Sequence, residues 1–199
     1  MKRLLKGLGK NSPSEYDRIF KERAKKGPNW QDSRRWKKLM KYYRGGRVID
    51  IGCLDSEIPK YVNWRMYIGT DVAEKSIMAM REKHVMHNFR LDNIYKTKIE
   101  EVSANYVILG EILEHLDEPI IAVIQAFKML KPGGVLAISV PLDEALEPGA
   151  VDKERHLWSY TEQDIKDLVE PYSSKIKTKV LRSKWVPTYK YCWPTLICW

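Results

Sequence analysis

The spacing of apolar residues changes near Gly45-Gly46. Before it, Trp36, Leu39, Met40 and Tyr43 recur at helical intervals, predicting an amphipathic helix from Ser33 to Tyr43 whose other face is basic. The first ten residues read as frayed. From Arg47 onward, short β-rich runs alternate with helical patterns. Arg47 to Gly52, Met66 to Asp71, Asn88 to Asn93, Ala104 to Gly110 and Val135 to Pro141 read as strands. Ala73 to His84 reads as a helix with Ile77 and Met80 on one face. Pro119 to Leu130 reads as another, with Ile120, Val123, Ile124, Phe127 and Leu130 inward, a proline in its first turn and Gly133-Gly134 as its left-handed stop. Thr161 and Asp164 form a capping box ahead of a last helix that buries Ile165, Leu168, Val169 and Tyr172. Lys175 to Lys184 and Lys190 to Trp199 then read as two more strands, with Pro187 in the turn and Pro194 marking an edge. Strands alternating with helices in this way imply an α/β fold, a parallel sheet covered on both faces.

Composition narrows the class. The 199 residues are 44% hydrophobic and 31% charged, which suits one globular domain and excludes disordered, collagen-like and coiled-coil chains. The longest apolar runs, such as Val135 to Val140, fall far short of the roughly 20 residues of a membrane span, so none is expected. The basic stretch Met1 to Lys10 has no apolar stretch after it, so no secretory leader is expected either. Cys53, Cys192 and Cys198 are an odd number without a Cys-x-x-Cys pair. They point to a reducing, cytoplasmic setting and to neither a disulfide framework nor a metal site.

The net charge of +9 is unevenly spread. Residues 1–47 carry 16 basic and 4 acidic side chains, residues 48–174 carry 13 and 22, and residues 175–199 carry 6 and none. Basic ends around an acidic middle fit either a polyanionic partner such as RNA or an anionic lipid surface, or else a merely solvated helix face. Arg34, Arg35, Lys37, Lys38 and Lys41 carry much of the N-terminal charge.

The candidate chemistry sits at the predicted strand ends. Val48-Ile-Asp50-Ile-Gly52-Cys53-Leu54 is an apolar strand running into a tight turn, where an open parallel sheet collects ligands and a glycine admits close backbone approach. Asp71 follows 21 residues after Asp50, beside Val72, and a carboxylate there can accept the two hydroxyls of a ribose. Asp92-Asn93 ends the third strand, where an acceptor can take the amine of adenine. Gly110-Glu111 ends the fourth. His115 and His156 are either general bases or structural hydrogen bonders. Tyr160, Trp30 and Trp36 either contact a substrate or pack in the core.

These motifs resemble the class I S-adenosylmethionine-dependent methyltransferases over Arg47 to Tyr172. Asp50-x-Gly52 is similar to the family's first motif, Asp71 to its ribose acid and Asp92 to its adenine-side acid. Ala104 to Pro119, with Glu114-His115-Leu116, resembles the fourth-strand motif, and Met129 to Pro141, with Leu130-Lys-Pro-Gly-Gly134, the fifth. This combination, with His156 ahead of Tyr160-Thr161, resembles the subgroup that modifies small molecules, lipids and sugars. The resemblance implies a Rossmann-like seven-stranded sheet of order 3-2-1-4-5-7-6 with the last strand antiparallel. It also implies an N-terminal helical lid over residues 1–46, carrying Trp30 and Trp36, on a core of 47–199. The implied cofactor is S-adenosylmethionine, leaving as S-adenosylhomocysteine, held by Asp50, Gly52, Cys53, Leu54, Asp71, Val72, Asp92, Asn93, Gly110 and Glu111, with Glu111 facing the sulfonium. No metal is expected. The chain departs from the family where glycines are replaced by Leu54 and Ser56. The implied function is methyl transfer to an oxygen or nitrogen of a small molecule, lipid or sugar. Its rivals are an RNA methyltransferase that tracks its substrate with the basic ends, and a degenerate interaction module.

Overall fold

The computed structural model describes residues 1–3, 11–26, 30–142, 156–173, 175–177, 180–181 and 193–198. The described elements run β1 (Lys2–Arg3), α1 (Pro13–Lys26), α2 (Trp30–Leu39), β2 (Val48–Ile51), β3 (Tyr67–Asp71), α3 (Glu74–Lys83), β4 (Asn88–Leu91), β5 (Ala104–Gly110), α4 (Pro119–Met129) and β6 (Leu130–Ser139). They continue with β7 (Trp158–Ser159), α5 (Glu162–Val169), β8 (Ile176–Lys177), β9 (Val180–Leu181) and β10 (Trp193–Cys198).

The main sheet has the order β4-β3-β2-β5-β6-β10-β8, with β9 also paired to β10. Strands β2 to β6 are mutually parallel and β10 is antiparallel to β6. Numbering the core strands from β2, this is the expected 3-2-1-4-5-7-6 order, with the sixth strand in two short pieces. Both faces of the sheet are covered. Ile49 and Ile51 of β2, Val107 and Leu109 of β5, and Leu136 and Ile138 of β6 pack with α4 and α5. Val48, Tyr106, Ile108 and Ala137 pack with α2 and α3. This two-sided burial is why the strands read as near-continuous apolar runs.

Several local expectations are corrected. Helix α1 was not anticipated, because its apolar positions are sparse. Its start is set by Ser12, whose hydroxyl accepts the Glu15 N–H at 3.3 Å, and by Pro13 in the first turn. Helix α2 begins at Trp30, ahead of the expected Ser33. Gly133-Gly134 does not stop α4: the helix ends at Met129 with Leu130 already extended. Gly133, at φ +75°, instead turns a bulge between the pairs Ala104–Leu130 and Tyr106–Val135. Pro194 does not mark an edge, since β10 lies between β6 and β8. Pairing with β6 begins one residue later, at Thr195, so the missing proline N–H takes no bond from that ladder. The Pro187 turn lies outside the described residues. The capping box forms as expected, Thr161 Oγ1 accepting the Asp164 N–H at 3.2 Å and Asp164 Oδ2 accepting the Thr161 N–H at 2.8 Å. Tyr172 is 43% exposed, its ring stacked on Phe127 rather than buried under α5.

Candidate active site

The predicted site residues gather at the carboxyl ends of β2, β3, β4 and β5, where ligands bind in open parallel sheets. Asp50 lies beneath the first turn, almost wholly buried, with Oδ2 accepting the Tyr67 hydroxyl at 2.9 Å and Ser56 as a second side-chain partner. Burial pushes its pKa up to about 6 despite those hydrogen bonds. Gly52 sits at φ +70°, where a Cβ would come within 2.7 Å of Ile112 Cδ1. Cys53 is buried, its N–H donated to the Thr70 carbonyl at 2.9 Å and its thiol pushed well up by burial.

The two departures from a glycine-rich turn have structural tasks. Leu54 takes the left-handed region at φ +34°, with its N–H donated to Asp71 Oδ2 at 2.8 Å and its carbonyl accepting the Ser76 hydroxyl. Ser56 is fully buried, its side chain near Asp50 and its hydroxyl accepting the Ile58 N–H at 3.1 Å. The Asp71 and Ser76 side chains thus hold the Leu54 backbone in the turn, and the Ser56 hydroxyl holds the Ile58 N–H.

Asp71 ends β3, 7% exposed, with Oδ1 accepting the Ala73 N–H at 2.8 Å. Burial raises its pKa, the N–H donors of Ala73, Leu54 and Val72 lower it, and nearby Asp17 adds to the rise. Beyond β4, Asp92 accepts the Thr97 hydroxyl at 2.6 Å and the Lys98 N–H at 3.1 Å, and exposed Asn93 accepts the Tyr95 N–H at 3.0 Å. Both brace the loop that follows. At the end of β5, α2 lies against Gly110, where a Cβ would stand 3.4 Å from Leu39 Cδ1. Glu111 follows at φ +57°, with Oε2 3.8 Å from a guanidinium nitrogen of buried Arg35, which lies over the Trp36 ring.

The next turn carries Glu114 and His115. Oε1 of Glu114 lies 4.0 Å from His115 Nε2, and the His115 and His156 rings are nearly perpendicular with centroids 4.7 Å apart. Two bonds clasp these segments together: Leu157 N–H to the Glu114 carbonyl at 2.6 Å, and Trp158 Nε1 to the Leu116 carbonyl at 2.7 Å. The N-terminal segment reaches the same place. Asn11 Nδ2 donates to the His115 carbonyl at 3.0 Å, the Tyr16 ring stands edge-on to His115 at 5.9 Å, and Asp17 Oδ1 accepts the Lys75 N–H at the start of α3. A separate cavity of about 400 Å³, lined by Arg47, Trp64, Arg65, Asn88 and Arg90 among others, shares only Tyr67 with the site residues described above.

A family described as the methyltransferase domain matches residues 15–172, which include all of this geometry apart from Asn11. The chain belongs to that family. Over 112 residues this methyltransferase domain is 29% identical to an uncharacterized methyltransferase of Schizosaccharomyces pombe, covering 48% of the chain and 40% of that protein. Over 85 residues it is 28% identical to a probable S-adenosylmethionine-dependent methyltransferase of Mycolicibacterium smegmatis, covering 43% and 33%. The match therefore spans less than half the length of either relative. Among solved structures it resembles a chain of the complex between the Haloferax volcanii Trm112 methyltransferase activator and the putative methyltransferase, with TM-score 0.74, 12% identity and coverage of 92% and 96%. It also resembles Burkholderia thailandensis 1,6-didemethyltoxoflavin-N1-methyltransferase bound to 1,6-didemethyltoxoflavin and S-adenosylhomocysteine, with TM-score 0.67, 13% identity and coverage of 94% and 89%. At such identities the likeness is one of fold.

Within the methyltransferase domain, two residues read as either substrate contacts or core lie in the core. Tyr160 is 1% exposed in the core, its hydroxyl donated to the Leu113 carbonyl at 3.2 Å, so it supports the Glu114–His115 turn from below. Trp36 is 6% exposed and packs with Leu39 and Met40 on the sheet. The Trp30 side chain lies outside the described residues. Of the basic residues of the N-terminal segment, Arg35 is buried beside Glu111, while Arg34, Lys37 and Lys41 are exposed. Sequence reasoning missed Asn11, Tyr16 and Asp17; the Ser12-Pro13-x-Glu15 helix start was the available signal.

Proposed function

We propose that the protein transfers a methyl group from S-adenosylmethionine to an oxygen or nitrogen of a small-molecule, lipid or sugar acceptor. The observation that carries this reading is the row of carboxylates Asp71, Asp92 and Glu111 at the ends of adjacent or near-adjacent strands, beside a turn that bends through Gly52. That donor set fits the cofactor. Carboxylate oxygens offer about four lone-pair sites, so Asp71 retains acceptor capacity for ribose hydroxyls while holding Leu54 and Ala73. Asp92 and Asn93 stand on the adenine side. Glu111 supplies negative charge for a sulfonium, with Gly110 before it, and Cys53, Leu54 and Val72 shape the turn by backbone. Asp50 acts from beneath, by fixing that turn.

When bound, the cofactor supplies an already activated methyl group. The work left to the chain is to align the acceptor and exclude water. Residues 1–46 are assigned as the lid, since Asn11, Tyr16, Asp17 and Arg35 reach the strand ends. His115 and His156 stand at the acceptor side, where an acceptor hydroxyl must lose its proton.

Calorimetric titration with S-adenosylmethionine and S-adenosylhomocysteine tests the reading, repeated on Asp71→Asn and Asp92→Ala. Micromolar binding, weakened at least tenfold in each variant, is expected. No binding at millimolar ligand would overturn it in favour of an interaction module. An RNA acceptor would instead reveal itself as RNA affinity that falls steeply with salt.

A further inference from the structure

Glu114, His115 and His156 each offer one ligand atom, and the three atoms lie within 4.8 Å of one another. We propose that they bind one divalent transition-metal ion, of the zinc type, on the acceptor side of the cleft. The proposal rests on the methyltransferase reading and deepens it, because such an ion would favour a hydroxyl acceptor.

The donor set has the composition of a catalytic rather than a structural centre. Two imidazoles and a carboxylate are three protein ligands that leave a fourth position open, and imidazole selects first-row transition ions over magnesium or calcium. Metal–ligand bonds of about 2.1 Å place tetrahedral ligands about 3.4 Å apart, so closing around an ion takes roughly an ångström of side-chain rotation. The backbone is already set for it. Both segments are tied by the Leu157–Glu114 and Trp158–Leu116 bonds, the Glu114–His115 turn is held from below by Tyr160, and Asn11 fixes the His115 carbonyl. Supporting bonds of this kind keep ligands in position.

In this arrangement the histidines hold an ion instead of taking the proton themselves. An acceptor hydroxyl in the open position has its pKa lowered and releases its proton to solvent. The oxygen then bonds to the methyl carbon while the carbon–sulfur bond breaks, its electron pair remaining on sulfur. The products are the methyl ether, S-adenosylhomocysteine and one proton.

The test uses the full chain, stripped with a chelator and titrated with Co²⁺ by visible absorption and with Zn²⁺ by calorimetry. S-adenosylhomocysteine binding is measured on the same samples. One equivalent of Co²⁺ with d–d bands is expected, with at least tenfold weaker binding in His156→Ala and in Glu114→Gln and no change in His84→Ala. His156 is only partly buried, so His156→Ala keeps the test decisive if Glu114→Gln does not fold. The thermal midpoint of the metal-free protein checks that each variant is folded. Substoichiometric binding, or equal affinity in wild type and His156→Ala, overturns the site. Cofactor-product binding without the ion sinks the metal site alone, whereas ion binding without S-adenosylhomocysteine binding sinks the methyltransferase reading.

Discussion

Replacing Asp50 by asparagine removes the ionisable group buried beneath the first turn while nearly preserving its shape. The carboxyl is 2% exposed and its pKa is pushed from 3.8 up to about 6, chiefly by burial, with Asp71 adding to the rise. In the unfolded chain it returns to the ordinary range. Its folded value is the raised one, so its contribution to stability is fully present below pH 4 and is lost as pH rises through about 6. A difference of about 2 pH units, at about 1.4 kcal/mol each, makes the loss about 3 kcal/mol by pH 8. The carboxamide of the variant cannot ionise, and its oxygen still accepts from Tyr67. Any fixed cost of the exchange is independent of pH. Asp71 remains in both proteins and largely cancels from the difference. Urea unfolding of wild type and Asp50→Asn in steps between about pH 4 and pH 8 measures the effect. The stability difference should move toward the variant by about 2–3 kcal/mol over this range, with its steepest change near pH 5, between the unfolded and folded pKa values, and should level off above about pH 7. A flat difference, or one moving toward wild type as pH rises, would refute the assignment of a buried, high-pKa carboxyl.

Three further outcomes follow from local geometry. Val102 is β-branched, 57% exposed and held at φ +50°, so Val102→Gly should relieve about 1–2 kcal/mol of left-handed strain. Chain entropy returns about half of that, leaving a small rise in thermal midpoint; a fall would sink the argument. Thr161→Ala removes the cap of α5 and should cost about 1 kcal/mol in chemical denaturation, and an unchanged midpoint would deny the capping box its role. Tyr160→Phe should cost about 1 kcal/mol by removing the hydroxyl's bond to the Leu113 carbonyl, which keeps the Leu116 N–H as a donor, without changing the selectivity among acceptors that a substrate-contacting tyrosine would impose.

The sequence by itself determined the parallel sheet, its strand boundaries to within a few residues, the helices α3, α4 and α5, the α5 capping box, and the acids at strand ends. These are local matters. A sheet buried on both faces needs apolar runs, a cap needs two residues in one turn, and a strand that ends at a ligand cleft needs an acid followed by a bend. Tertiary structure decided the rest. Helix α1 is polar overall, with few apolar residues to mark it, and its place comes from Asp17 at the start of α3 and Tyr16 against His115. Leu54 and Ser56 read as losses of glycine, yet Asp71 accepts the Leu54 backbone N–H across the fold and Ser56 is fully buried beneath the turn. Tyr160 and Trp36 each read as substrate contact or core until packing buried them. His156 comes beside His115 only because the chain after β6 returns to the turn after β5 and donates Leu157 N–H to Glu114. Periodicity records what one element needs from its neighbours along the chain. Which distant segments meet is fixed by the packing and hydrogen bonding of the whole, and that is where the chemistry of this site is assembled.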